Sequence, residues 1–407
     1  MLTQKREINK LFILCWFVYF ITYIGRLSYT SAMTEMTVNG VLSKSQAGSI
    51  SMIFFFCYGI GQLINGFLGD RVQPLRMIVT GLSISAVCNL LMGISSNYII
   101  MSAIWGISGY SQAMVWPPII KLFSNELDEN ARMSALVNIA TTMAAGTLFS
   151  YLLSALILSV SGWRMVFIIP SVLIALTTLV CGIGLKGVLK NSQTAADKIT
   201  PAKKPAPKGS TCKALLMGLV PLVVLPAMIH GMIKDGVSSW VPTYISERFG
   251  LMPALSILLT TLLPVVNMLG AYAAGFVNRR IKDECKSCAV FFALSALLLV
   301  ALNFSSGLGA AFSAVLLALV TSSMIAVNTL IVSFIPMRYS KAGLCATVSG
   351  FLNSMSYIGA ALSAFTLGIM SAKLGWAYTI SAFALLCAAG AALSLMPNIV
   401  LKNKQSG

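Results

Sequence analysis

Charged residues are scarce in this chain: Asp, Glu, Lys and Arg make up 10% of its 407 residues. Soluble globular domains carry about 25%, so that class is excluded. Acidic residues are scarcer still, 11 against 28 Lys and Arg, and there is a single histidine, His230. Of the nine cysteines only Cys285 and Cys288 form a CxxC, which offers two ligands where a structural zinc needs four. No metal and no cofactor are therefore expected. The other cysteines fall mostly in apolar stretches, where thiols act as small hydrophobes, and they outline no disulfide framework. A glycine-rich phosphate loop is missing, as is any cluster suited to redox or hydrolytic chemistry. The chain is not expected to be an enzyme.

Apolar residues, by contrast, make up 57% of the chain. Runs of about 20, enough to cross a bilayer, recur twelve times: 9–32, 46–68, 74–94, 97–120, 133–159, 163–186, 214–245, 250–277, 286–304, 308–335, 342–370 and 373–397. With no water in the hydrocarbon to satisfy the backbone, such runs must be helices. The fold class is an all-α membrane protein of twelve spans. The first span is expected to be an uncleaved anchor, since it is too long and lacks the small-residue cleavage site of a signal peptide.

The net charge of +17 might suggest a nucleic-acid partner, but the cations sit between the spans. They gather in alternate connections: Lys5, Arg6 and Lys10; Arg71 and Arg76; Lys121 and Arg132; 186–213; Arg279, Arg280, Lys282 and Lys286; Arg338 and Lys341; Lys402 and Lys404. Cytoplasmic loops carry such an excess, so both termini are expected in the cytoplasm and the chain in the inner or plasma membrane. The expected partners are the bilayer and a small-molecule anion, with no nucleic acid and with the chain as a monomer.

One segment breaks the apolar pattern. Residues 187–213 are polar and rich in Lys, Pro and Ala, which reads as a cytoplasmic linker. It divides the chain into six-helix halves, 1–186 and 214–407. The halves resemble each other: GQLINGFLGDR at 61–71 matches GAYAAGFVNRR at 270–280, SALVN at 134–138 matches SGFLN at 349–353, and Gly162-Trp163 matches Gly375-Trp376. Three matches in one order argue for a duplicated unit. Parallel repeats with a binding site at their interface describe a class of secondary transporter.

A charge in mid-membrane costs about 2.5–3.5 kcal/mol on insertion scales, so each needs a reason. In the first span Tyr19, Thr22, Tyr23, Arg26 and Thr30 share one helix face, which points them at an interior cavity. The alternative for Arg26 is snorkelling to the outer surface, which leaves the polar residues below it unexplained. In the seventh span His230, Lys234 and Ser238 share a face, while Lys234 and Asp235, as neighbours, need not pair. An internal salt bridge that neutralises Lys234 is the competing reading, and Asp235 is a candidate partner or coupling site. Two facing cations, one per half, would suit a doubly charged anion, with arginine gripping it bidentately and lysine acting as a point charge. Tyr58, Gln62, Asn138, Thr141, Asn353 and Tyr357 are further polar candidates for the cavity, Asn138 and Asn353 at matched repeat positions. Asp70 and Arg71 close a small-residue segment after the second span and are read as gating residues.

The GFLGDR segment, the duplicated halves and the central linker resemble the major facilitator superfamily over essentially the whole chain. Within it, YIGRLSYTSAM (23–33), SGYSQAMVWPP (108–118) and MIKDGVSSWVPTYI (232–245) resemble the organophosphate:phosphate antiporter family, exchangers of glycerol phosphate and hexose phosphates. The resemblance implies phosphate binding by Arg26, and places Gln112 and Trp116 on matching positions. The second phosphate-binding arginine of that family falls on Lys234, so charge is kept and the fork is lost. Two more departures are Thr141, where some members carry histidine, and Leu27, where lysine is frequent.

Three functions follow. The first is exchange of a phosphorylated metabolite for inorganic phosphate by alternating access, with Arg26 and Lys234 holding the phosphoryl group. The second is proton- or sodium-coupled symport of organic carboxylates, with Asp235 titrating. The third is a membrane anion sensor that signals without transport.

Overall fold

A computed structural model describes residues 5–139, 141–195, 219–304, 307–339 and 345–403, and these form helices and short connections with no strand among them. The helices preceding residue 196 are α1 (Lys5–Val38), α2 (Lys44–Arg71), α3 (Pro74–Ile94), α4 (Tyr98–Gln112), α5 (Trp116–Glu126), α6 (Glu129–Asn138), α7 (Thr141–Val160) and α8 (Met165–Ala195). Those following residue 218 are α9 (Val220–Gly231), α10 (Ser238–Phe249), α11 (Pro253–Thr260), α12 (Leu262–Ile281), α13 (Glu284–Asn303), α14 (Gly309–Asn328), α15 (Ile335–Met337), α16 (Cys345–Lys373) and α17 (Gly375–Asn403). A π-helical turn at Met232–Val237 joins α9 to α10, and another at Thr329–Phe334 joins α14 to α15.

Eleven helical stretches among the described residues are long and apolar enough to cross a membrane. The expected span at 97–120 is present as two shorter helices instead. Asn97 caps α4 by accepting from Ile99 and Ile100, but α4 stops at Gln112 and α5 starts with Pro117 and Pro118 in its first turn. Proline has no N–H, and its ring crowds the carbonyl four residues back; the break between α4 and α5 falls at this adjacent pair, whereas α8 and α10 carry the single prolines Pro170 and Pro242 inside them. Helix α8 continues to Ala195, beyond the boundary expected at 186. The rest of the expected linker, from 196 onward, lies outside the described residues.

Helices α1–α8 meet α9–α17 along two seams, α2 against α16 and α7 against α11 and α12. The first seam requires glycine: a Cβ on Gly48 would stand 2.6 Å from the Ala364 carbonyl oxygen, and one on Gly368 2.5 Å from that of Lys44. Membrane helices associate through such close backbone approach, because lipid supplies no hydrophobic drive between them. At that end of the bundle polar ties cross the seam. Glu247 Oε2 accepts from Lys44 Nζ at 2.6 Å and from Trp376 Nε1 at 2.7 Å, and Lys44 lies over the Trp376 ring. Deeper in, the buried hydroxyls of Thr34 and Thr243 meet at 3.0 Å.

This end is therefore shut. Helix α1 runs toward it from Lys5 and α17 runs away from it to Asn403, which puts these two helix ends at the opposite end. Same-side termini are what the alternating cations require. A Gly368→Val substitution should force this end open, since overpacking costs about 1–3 kcal/mol. In a Thr243→Cys background, labelling by an impermeant maleimide should rise about tenfold or more; an unchanged rate would show that the α2–α16 contact does not hold the closure.

Candidate functional site

The polar face of α1 meets the π-helical turn of the seventh span in the interior. Arg26 is 14% exposed and surrounded by rings: its guanidinium carbon lies 4.9 Å from the Tyr58 centroid, 5.3 Å from Tyr357, 5.4 Å from Phe55 and 5.7 Å from Phe54. Guanidinium over aromatic faces is a favourable arrangement, more so where water is excluded. A snorkelling side chain would not be boxed in this way. Arg26 faces inward.

Opposite it stand Lys234 and Asp235. Their side chains form an ion pair with each other, and Asp235 Oδ1 lies 3.8 Å from Arg26 Nη2. Of the two readings left open for these neighbours, the internal ion pair is the one the structure holds. A π turn carries more residues per turn than an α-helix, so consecutive side chains splay less. Two ties hold this turn: Ser363 Oγ donates to the Met232 carbonyl at 2.7 Å, and Ser238 Oγ donates to the carbonyl of Lys234. Lys234 Nζ also lies 5.5 Å from the Tyr357 centroid, so both cations lean on one ring. The described ion pairs give the two cations a single carboxylate. One positive charge is left over.

Beside the trio is a cavity with roughly 440 Å³ of empty space, part of it open, lined by Arg26, Asp235, Ser238, Ser239, Ser51 and Tyr151 among others. On the α1 side the aromatic face continues. Tyr19 packs edge-on to Tyr23 at 5.5 Å and lies 4.7 Å from Trp116, which heads α5. Tyr58 and Tyr357 meet at 4.6 Å across the α2–α16 seam, and Gln62 hydrogen-bonds the Tyr58 side chain. The structure therefore gathers Arg26, Lys234, Asp235, Tyr58 and Tyr357, with Tyr19, Tyr23, Trp116 and Gln62 alongside.

Several other expected ligands are placed differently. Gln112 is 3% exposed and donates to Ser85 Oγ at 3.2 Å, which ties α4 to α3. Thr22 donates to its own helix at Tyr19 O, a bond of 2.6 Å. Asn138 reaches Ser134 on its own helix, and Thr141 accepts from Trp16 Nε1 at 2.9 Å. Both are exposed. His230 is fully buried with Nδ1 against the Ala227 carbonyl, and Asn353 is half-buried. The side chains of Asp70 and Arg71 lie outside the described residues.

Sequence reasoning missed Phe54, Phe55, Ser51 and Tyr151. The two phenylalanines sit in an apolar run, FFF at 54–56, that carries no polar signal. Their place on the Arg26 face follows only once Tyr58 is taken as the anchor and counted back by three and four.

The model of the Major Facilitator Superfamily matches residues 15–364. A probable hexose phosphate transport protein of Chlamydia muridarum is 22% identical over 90% of this chain and 86% of its own length. The membrane sensor protein UhpC of Escherichia coli is 24% identical over 68% of this chain and 67% of its own length. Among solved structures, a bacterial homologue of the human lysosomal transporter Spinster superposes with a TM-score of 0.78 at 16% identity, covering 97% of this chain and 98% of that one. That last likeness bears on the fold alone.

The Gln112–Ser85 tie separates packing from binding. Gln112→Met should lower the thermal stability of the purified protein by about 0.5–1.5 kcal/mol, the net worth of one hydrogen bond, and leave anion affinity unchanged. An affinity loss larger than the stability loss would put Gln112 back at the ligand.

Proposed function

The chain belongs to the major facilitator superfamily, and from that premise we propose that it carries a small phosphorylated metabolite, such as a sugar or glycerol phosphate, in exchange for inorganic phosphate. The carrying observation is the unequal pairing at the centre: two cations, Arg26 and Lys234, against one carboxylate, Asp235. An anion completes the charge balance there. Arg26 offers its planar fork to two phosphoryl oxygens, and Lys234 adds a point charge. The tyrosines around them present hydroxyls to the rest of the ligand. The names of the relatives support phosphorylated cargo, and the retained positive charges at both positions support phosphate as the counter-substrate.

The cycle follows from the energetics of burial. Closing a cavity around an unmatched charge is costly, so the bound anion favours the closed form over the empty one. A ligand shifts such an equilibrium only by its differential affinity for the two states, and here that difference is charge neutralisation. With the Lys44–Glu247 end shut, the anion exchanges at the other end. The protein is a multi-pass membrane protein and not an enzyme; its driving force is the gradients of the exchanged anions.

Counterflow into liposomes loaded with inorganic phosphate, with labelled sugar phosphates and glycerol phosphate outside, tests this. Arg26→Lys should raise the half-saturating concentration about tenfold or more, because it removes one charge-assisted bond worth about 1.5–3 kcal/mol. Normal transport by both Arg26→Ala and Lys234→Ala would refute the site.

A further inference from the structure

Asp235 is more than a neutralising partner of Lys234. We propose that it is a built-in counter-anion that stands in for the cargo, lets the empty carrier reorient, and so gives net one-way flux in addition to exchange. This rests on the anion-carrier reading above and adds a return path to it.

The two oxygens of Asp235 serve two different elements. Oδ2 pairs with Lys234 on the π turn, and Oδ1 faces Arg26 on α1 at 3.8 Å. The carboxylate thus lies where an anionic ligand shared by the two cations would lie, and it presents the same kind of acceptor oxygen. It spans helices from both sides of the α1–α10 contact, in a site where all three side chains are 10–19% exposed. Without it, an empty carrier would have to close on two like charges. With it, one excess charge remains.

The two legs differ in strength. The Lys234 leg is a direct hydrogen bond, whereas the Arg26 leg is too long for one. An arriving anion would displace the weaker leg: phosphoryl oxygens take the Arg26 fork while Asp235 stays with Lys234. When the anion leaves, Oδ1 resumes its place. The π turn fixes this option in the backbone, since Ser363 and Ser238 bond its carbonyls and hold Asp235 on the Arg26 side. Asp235 is thereby a competitor of the cargo, and its removal has two opposite consequences. Affinity for anions should rise, and return without cargo should fail.

The test uses the full-length protein in liposomes loaded with labelled inorganic phosphate, with membrane potential clamped by valinomycin and potassium. Efflux into anion-free buffer reads net flux, and efflux into unlabelled phosphate reads exchange. Wild type should show both, and Asp235→Asn should lower the ratio of net flux to exchange by about tenfold or more. An unchanged ratio, or a wild type that exchanges with no net efflux, overturns the inference while leaving the carrier reading intact. A wild type with neither flux refutes the carrier reading itself, and the inference with it. If Asp235→Asn is inactive in both modes, phosphate binding to the purified, folded variant decides. Its dissociation constant should fall about tenfold, and a constant unchanged or higher than wild type overturns the inference.

Discussion

The structure depends on how two cations are kept charged in a place that disfavours charge. Arg26 and Lys234 stand in the interior of a helical membrane protein with one carboxylate and a set of aromatic rings for company. Full neutralisation by fixed groups would make the cavity comfortable and inert. No neutralisation would make it too costly to close. The observed arrangement lies between: Tyr357 and Tyr58 spread the positive charge over their faces, and Asp235 cancels half of it. In the proposed function, this residual charge gives the cavity its preference for anions.

The closure at the Lys44 end acts together with this centre. Gly48 and Gly368 let α2 and α16 touch backbone to backbone, and the same two helices bring Tyr58 against Tyr357 further along the seam. Separation of α2 from α16 would therefore move one wall of the Arg26 box. The Thr34–Thr243 contact links α1, which carries Arg26, to α10, which continues from the turn that carries Lys234 and Asp235. Site and closure share the same four helices. In the proposed cycle, an anion that draws α1 toward the π turn at mid-depth also acts on the shut end, with no separate relay.

Much of this was legible in the sequence because membrane physics leaves few choices. Apolar run length dictates helices, and the scarcity of charge makes each interior charge conspicuous, so Arg26, Lys234 and Asp235 stand out without coordinates. The tyrosine and arginine spacing on α1 also read correctly as one face. Three things did not read. The π turn is a backbone event with no residue signature of its own, so α-helical angles left the Lys234–Asp235 ion pair as one of two open readings. Phe54 and Phe55 lie in an apolar run, with no polar character to single them out. Gln112 entered as a ligand through the family resemblance of its segment, and a matched position does not tell a side chain that binds cargo from one that ties to a neighbouring serine. Pro117 and Pro118 were visible, but Pro170 and Pro242 sit inside continuous helices, so a proline by itself does not mark where a span breaks.

In the proposed site, lysine at 234, where the family resemblance implies arginine, suits the presence of Asp235. An arginine there would grip the adjacent carboxylate with a planar fork and hold it. Two forks would then compete for one carboxylate, and an incoming phosphoryl group would have to break a bidentate pair to enter. Lysine is a flexible point charge that keeps Asp235 nearby through a single contact and can share itself with a second anion. The rigid fork is kept at 26, on the helix that Asp235 reaches only loosely. In the proposed cycle, a fixed fork on one wall and a yielding ion pair on the other form a site whose resting occupant is easily displaced, which favours turnover over retention.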